Sequence, residues 1–168
     1  MSDHDASQRE KLWDLIKDMR FGMFTTRHDN GHLHSRPMTT QNKAIDEDDS
    51  LWFFMSRAGD PVHDLEQSEE VNVTYADPGK DAYVSVSGKA RLVEDMAVKR
   101  RLWSKLNEAY FKDGVDDPDC ALVRVRISHA NYWDVKASKL VQLWDMARAA
   151  VTGEPVKHRG DHGEVRMH

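Results

Sequence analysis

The sequence predicts a mainly β domain with peripheral helices, a small barrel of about six strands paired antiparallel. Three observations predict it. Short extended runs outnumber helical ones, and most of them are joined by tight turns. The glycines are isolated, so no G-x-G-x-x-G or G-x-x-x-x-G-K-[ST] phosphate loop is present to open a doubly wound parallel sheet. At 168 residues the chain is long enough for one substantial core. The expected organisation is a single domain over 1–152 and a tail, 153–168, which lacks an apolar period and is expected to be mobile.

The elements follow in order. In REKLWDLIKDM, Leu12, Leu15, Ile16 and Met19 keep the i, i+3, i+4, i+7 spacing of an amphipathic helix, with Ser7 as N-cap and Glu10 as capping-box partner. FGMFTTRHDNGHLHSRPMTTQ reads as a hairpin about Asn30-Gly31. SLWFFMS is apolar on both faces from Leu51 to Met55, which predicts a strand covered on both sides. DPVHDLEQS predicts a short helix capped by Asp60, with Pro61 in its first turn. EVNVTYAD and AYVSVSGKARLVE are two strands joined through DPGKD. DMAVKRRLWSKLNEAYF predicts one longer helix whose apolar side carries Leu102, Trp103, Leu106 and Tyr110. CALVRVRISHANYWDV alternates, with Ala121, Val123, Val125 and Ile127 inward and Leu122, Arg124, Arg126 and Ser128 outward. A last helix carries Leu140, Leu143, Trp144, Ala147 and Val151 on one stripe.

Composition narrows the partners. A net charge of −5 argues against attraction to nucleic-acid phosphates, and no stretch approaches the ~20 apolar residues that span a bilayer. No nucleic acid and no membrane is expected. The N-terminus is too polar for a secretory signal, and the single cysteine, Cys120, cannot form an intramolecular disulfide. A reducing, cytoplasmic setting is the expectation.

The stretch HLHSRPMTTQ sets His32, His34, Arg36 and Met38 on one strand face, a charged face that a half-buried strand would ordinarily turn to water. Taken in order, HSRPM, LWFFMSR, VNVTYAD, YVSVSGKARLVED and ANYWDV resemble the pyridoxamine 5'-phosphate oxidase-like family of FMN-binding split barrels, in its general stress protein 26-like branch. The resemblance covers about residues 8–146. It implies a six-stranded antiparallel split β-barrel, a homodimer, and flavin mononucleotide in clefts at the dimer interface.

The same resemblance implies the site. Arg36 lies in the flavin cleft, where an always-charged guanidinium suits a phosphate. Pro37 and Met38 approach the ring system, Phe54 and Met55 lie beside it, and Ser56 is the hydroxyl donor at the end of its strand. Trp133 resembles an aromatic contributed to the neighbouring subunit's flavin, and Lys139 is a weaker candidate. The alternatives are an Arg36 that makes a surface ion pair and a Trp133 that only packs an interface.

One departure stands out. Relatives carry Ser-x-Lys before the short helix with the lysine on the phosphate, whereas Gly59 and Pro61 hold those places here. The N–H groups of the helix that starts near Pro61, or Arg57, are the possible replacements. Asp60 opposes both. An R-L-H-x-R-like ending after the tryptophan strand, which would grip the phosphate of a B6 substrate, is absent. An FMN-binding general stress protein without true vitamin B6 oxidase activity is therefore expected. The alternatives are a flavin-dependent NAD(P)H oxidoreductase acting on an unidentified small molecule, and a flavin-free barrel serving as an interaction module. No obligatory acid or base stands out, because the flavin carries the redox chemistry.

The remaining residues take structural readings. His28, His32 and His34 lack the companions of a metal site, so solvent-facing histidines are expected and no metal. Cys120 reads as a small buried residue, and Trp52 and Trp103 as core.

Overall fold

The computed structural model describes residues 3–45, 48–134, 146–153 and 161–167. Helix α1 (Asp3–Ile16) leads into strands β1 (Gly22–Arg27), β2 (Leu33–Met38) and β3 (Ser50–Ser56). Helix α2 (Asp60–Gln67), strands β4 (Glu70–Asp77) and β5 (Ala82–Leu92) and helix α3 (Met96–Leu102) follow. Then come strand β6 (Cys120–Asp134), a helix α4 over 146–152, and strand β7 (Asp161–Arg166). The strands curl into one antiparallel sheet, ordered β2-β1-β4-β5-β6-β3, with β7 also on β6. This is the mainly β, six-strand split barrel that the sequence predicts, with one strand more.

The local signals explain most elements. Gly31 closes the β1–β2 hairpin at φ +83, a conformation that costs glycine little, and its N–H donates to the His28 carbonyl at 2.9 Å. Leu12 and Ile16 are buried from α1 while Leu15 and Met19 pack beside them. The helix starts at Asp3, so Ser7 lies inside it rather than capping it. In α2 the N-cap is Gly59, and Asp60 and Pro61 form the first turn.

Strand β3 is buried along both faces. One side joins the main core of Phe24, Phe53, Val73, Tyr75, Val84 and Val123. The other side, Trp52 and Phe54, joins a second cluster with Leu102, Phe111, Cys120 and Leu122. Leu122 is therefore buried, not outward as its alternation suggests: the loop after α3 covers the back of β6. Across from β6, Gly88 sits at a register shift where an added Cβ would lie 2.2 Å from the Arg126 carbonyl oxygen, so only glycine fits.

Two expected elements differ. The helix predicted through Phe111 ends at Leu102, and Trp103 and Ser104 are extended. Trp103 turns onto Phe54 and Phe111, at ring separations of 5.3 Å and 6.3 Å. That contact outweighs helix propensity, and Leu106 and Tyr110 end up exposed. Residues 161–166, placed by the sequence in a mobile tail, form β7. Strand β3 pairs only with residues 120–126 of β6, and β7 takes the edge left open at 129–134, burying Val165. Of the predicted C-terminal stripe, Leu140, Leu143 and Trp144 lie outside the described residues, as does Lys139, and Ala147 and Val151 are exposed. Among the described residues no helix is long and apolar enough to cross a membrane.

Candidate functional site

The inner face of β2 answers what its charges hold. Arg36 stands opposite Phe24 of β1 with its side chain 14% exposed, and it points at α2. The amphipathic α2 buries Val62, Asp64 and Leu65, which sets a carboxylate under the sheet. Arg36 Nη1 donates to Thr26 Oγ1 at 2.6 Å, and Nη2 donates to His34 Nδ1 at 2.9 Å and lies 3.7 Å from Asp64 Oδ2. Asp64 accepts from Thr26 Oγ1 and from His28 Nδ1, each at 2.5 Å. His28 Nε2 completes the ring at 3.0 Å from His34 Nδ1.

The electrostatics follow from this closure. Burial pushes the Asp64 carboxyl up, but the hydrogen bonds from Thr26 and His28, with the charges of His28 and Arg36, together hold it below its ordinary value. Burial lowers the Arg36 guanidinium from its ordinary value, against the pull of Asp64 and Asp60, and at neutral pH it stays charged. The reading of Arg36 as a surface ion pair gives way to a partly buried one.

A cavity of about 280 Å³ opens further along the same strand. Pro37, Met38, Phe54, Met55 and Ser56 line it, joined by Phe21, Asn107, Tyr110, Phe111 and Asp119. Five of the eight residues singled out in the sequence thus meet at one cavity. Met38 follows Arg36 on the same strand face, two residues and about 7 Å on. Ser56 Oγ donates to Asp119 Oδ2 at 2.7 Å, and that bond, with the Ala58 N–H, holds the Asp119 carboxyl below its ordinary value. An anion beside Ser56 would therefore be repelled by the Asp119 carboxylate, whereas a neutral ring would not. The wall from Asn107 to Asp119 escaped the sequence reading, because it depends on the break in the chain after Trp103.

The other expected residues lie elsewhere. Pro61 is half-buried in the first turn of α2, near Arg36 but outside the cavity lining. Arg57 donates to Glu94 at 2.9 Å and to the Pro118 carbonyl, which directs it away from α2. Trp133 is 42% exposed on the outer face of β6, opposite Tyr83 and 5.2 Å from the ring of His162. Cys120 is buried, which pushes its thiol up to about 11 and leaves it unreactive. A second cavity, between Asp49 and Arg126, is lined in part by the Lys89–Glu70 ion pair and contains none of the expected residues. Among the described residues no three His, Cys, Asp or Glu side chains are arranged to hold a metal ion.

The chain resembles known proteins along most of its length. The family model described as pyridoxamine 5'-phosphate oxidase like matches residues 7–157. Protein bli-3 of Neurospora crassa is 28% identical over 91% of this chain and 78% of its own length. General stress protein 26 of Bacillus subtilis is 28% identical over 70% of this chain and 81% of its own. The crystal structure of the general stress FMN/FAD binding protein of Xanthomonas citri superposes with a TM-score of 0.64 at 32% identity, covering 77% of this chain and 89% of that one.

Proposed function

Because the chain belongs to the pyridoxamine 5'-phosphate oxidase-like family and is related to general stress protein 26, we propose that it is a cytoplasmic FMN-binding protein of the general stress class. Its flavin lies at the interface of a homodimer, and it has no true vitamin B6 oxidase activity. The observation that carries this reading is the convergence of Pro37, Met38, Phe54, Met55 and Ser56 on one cavity, with Arg36 one step along the same strand face.

The residues fit the group by halves. Met38, Phe54, Met55 and Phe111 offer an apolar bed for a flat ring, and Asn107 offers amide atoms at its edge. The cavity, at about 280 Å³, is small for a whole nucleotide, so the ligand extends beyond it. Arg36 is the group for the phosphate, held by Thr26 and His34 in a fixed orientation. Pro37 both lines the cavity and stands opposite Met23 on the outer face of the sheet, which brings the cavity to the surface where a second subunit would dock. Trp133, exposed on that face, is the residue offered to the partner's flavin. Bound flavin supplies hydride and electron transfer; the chain's residues bind it, orient it and exclude water from it.

The acidic groups support a second reading. Asp64 and Asp60 flank Arg36, and Asp119 lies on Ser56, so a barrel that has given up flavin for a protein partner is also consistent with these charges. Titration of the full chain with FMN, read by quenching of flavin fluorescence, separates the two. Saturation at one FMN per subunit is expected, and no binding at high micromolar FMN would sink the flavin reading. Arg36→Ala should weaken FMN by about 1.5–3 kcal/mol, roughly ten- to a hundredfold, and leave riboflavin, which has no phosphate, nearly unchanged. Equal losses for both ligands would remove Arg36 from the phosphate.

A further inference from the structure

The ring of bonds around Asp64 fixes where its protons sit. Arg36 can only donate, so His34 Nδ1 is an acceptor and His34 carries its proton on Nε2. His28 Nδ1 faces a carboxylate at 2.5 Å and carries a proton. His28 Nε2 faces the same bare His34 Nδ1 at 3.0 Å, and two lone pairs would repel there. That repulsion is lifted when His28 is the imidazolium, whose Nδ1–H donates to Asp64 and whose Nε2–H shares the single His34 Nδ1 lone pair with Arg36. The cluster then holds Asp64 with a negative charge and both Arg36 and His28 with positive ones. When His28 loses its proton, the excess positive charge disappears.

We propose that His28, wired through Asp64 and His34 to Arg36, is the second cation of a phosphomonoester site in place of the lysine that Pro61 displaces, and that it makes this site proton-gated. The proposal rests on the flavin reading for the identity of the phosphomonoester, not for the cluster itself. The charged and titratable groups around His28 are Asp64 on α2, with Asp60 acting through Arg36, and His34 and Arg36 on β2; Asp29 follows it in the turn. His28 is a positioning and charge-supplying residue, and Arg36 makes the contact. Its imidazole is partly exposed, so protons reach it without unfolding the domain.

The test titrates the full chain with FMN and with riboflavin at pH 6 and pH 8. The phosphate of FMN gains negative charge across this interval, its second pKa being about 6, so ligand charge alone would favour FMN at the higher pH. The expected result is the reverse, a preference for FMN over riboflavin about tenfold greater at pH 6. His28→Asn keeps an N–H on Asp64 but cannot charge, and should lose the rise towards pH 6, leaving only the ligand's own preference for the higher pH. His34→Gln, at an exposed position, keeps an acceptor for Arg36 and His28 and should retain that rise, whereas His34→Leu should lose it. A preference in the native chain that is flat or rises with pH, or one that still strengthens towards pH 6 in His28→Asn, overturns the proposal. If neither flavin binds, the flavin reading fails and inorganic phosphate becomes the probe. Imidazole nitrogen resonances of His28 and His34 that move on adding phosphate at pH 6, and do not move in Arg36→Ala, then uphold the site, and unmoved resonances overturn it.

Discussion

Asp64 is the residue on which the polar side of the barrel turns. Its side chain is 4% exposed, and its two oxygens are bonded to Thr26 and His28 with Arg36 close by. Removing one partner from such a buried charge cluster costs more than the cluster contributes, because the remaining charges are left desolvated. Asp64→Asn should therefore destabilise the domain by on the order of 3 kcal/mol at neutral pH, read by denaturant unfolding. The sign of the pH effect follows from a folded-state value held below the ordinary one. A depressed carboxyl contributes stability that is complete above its unfolded value, near 3.9, and is lost as pH falls through the folded value. The gap between the native chain and Asp64→Asn should narrow below about pH 4. A gap that fails to narrow on acidification below about pH 4 would contradict the assignment. None of this was legible in the sequence, where Asp64 is one acidic residue of a short helix. It lies 36 positions from His28, and only the packing of α2 on β1 joins them.

At the scale of elements the sequence is informative wherever the pattern is local. Strands β1 to β6 announce themselves by alternation or by turn chemistry, and β3 by apolar side chains on both faces, because strand period and glycine turns are properties of neighbouring residues. It fails where a distant contact decides. Nothing before Trp103 signals the end of α3, since the tryptophan leaves the helix to meet Phe54 and Phe111. Nothing in DHGEVR signals a strand, since it exists to pair the open edge of β6 and buries a single valine. The break after α3 matters for the site, because the chain that follows supplies Asn107, Tyr110 and Phe111 to the cavity wall. Trp103→Ala should remove the prop beneath that wall. Trp103 is half-buried, so the loss falls short of the 3–5 kcal/mol of a fully buried aromatic, at about 2 kcal/mol. Flavin affinity should fall with it, FMN and riboflavin alike, because the ring side of the site is disturbed and the phosphate side is not. A loss confined to FMN would place Trp103 near the phosphate instead.

For the whole molecule, the outer face of the sheet is the feature that the monomer leaves unexplained. Its centre is built from Met23, Thr25, Asn72, Thr74, Ser85 and Ser87, with Tyr83 and Trp133 towards one end and no charge among them. These side chains satisfy one another: Asn72 Nδ2 donates to Ser85 Oγ at 2.9 Å and to Ser87 Oγ at 3.2 Å, Thr74 donates to Asn72, and Thr25 bonds Ser35. Small, internally paired polar groups can be taken out of water without leaving donors or acceptors unmet, which a charged face could not do. An antiparallel sheet may keep one face wet, yet such a face ordinarily carries the charges that keep molecules apart. In the proposed homodimer this face is covered, the cavity rim at Pro37 is closed by the partner, and Trp133 reaches the neighbouring site. Sedimentation of the native chain should then give a mass twice its 19.3 kDa. Thr74→Arg, placed at the exposed centre of the face, puts two guanidinium groups into the interface of a symmetric pair and should give monomer. The fold itself should survive, because Thr74 lies opposite the core. What the variant should lose is flavin affinity, for FMN and riboflavin together, since each site is finished by the other subunit. A monomer that binds FMN as tightly as the native chain would show that one subunit holds the whole site, and would leave the uncharged centre of the face to another partner.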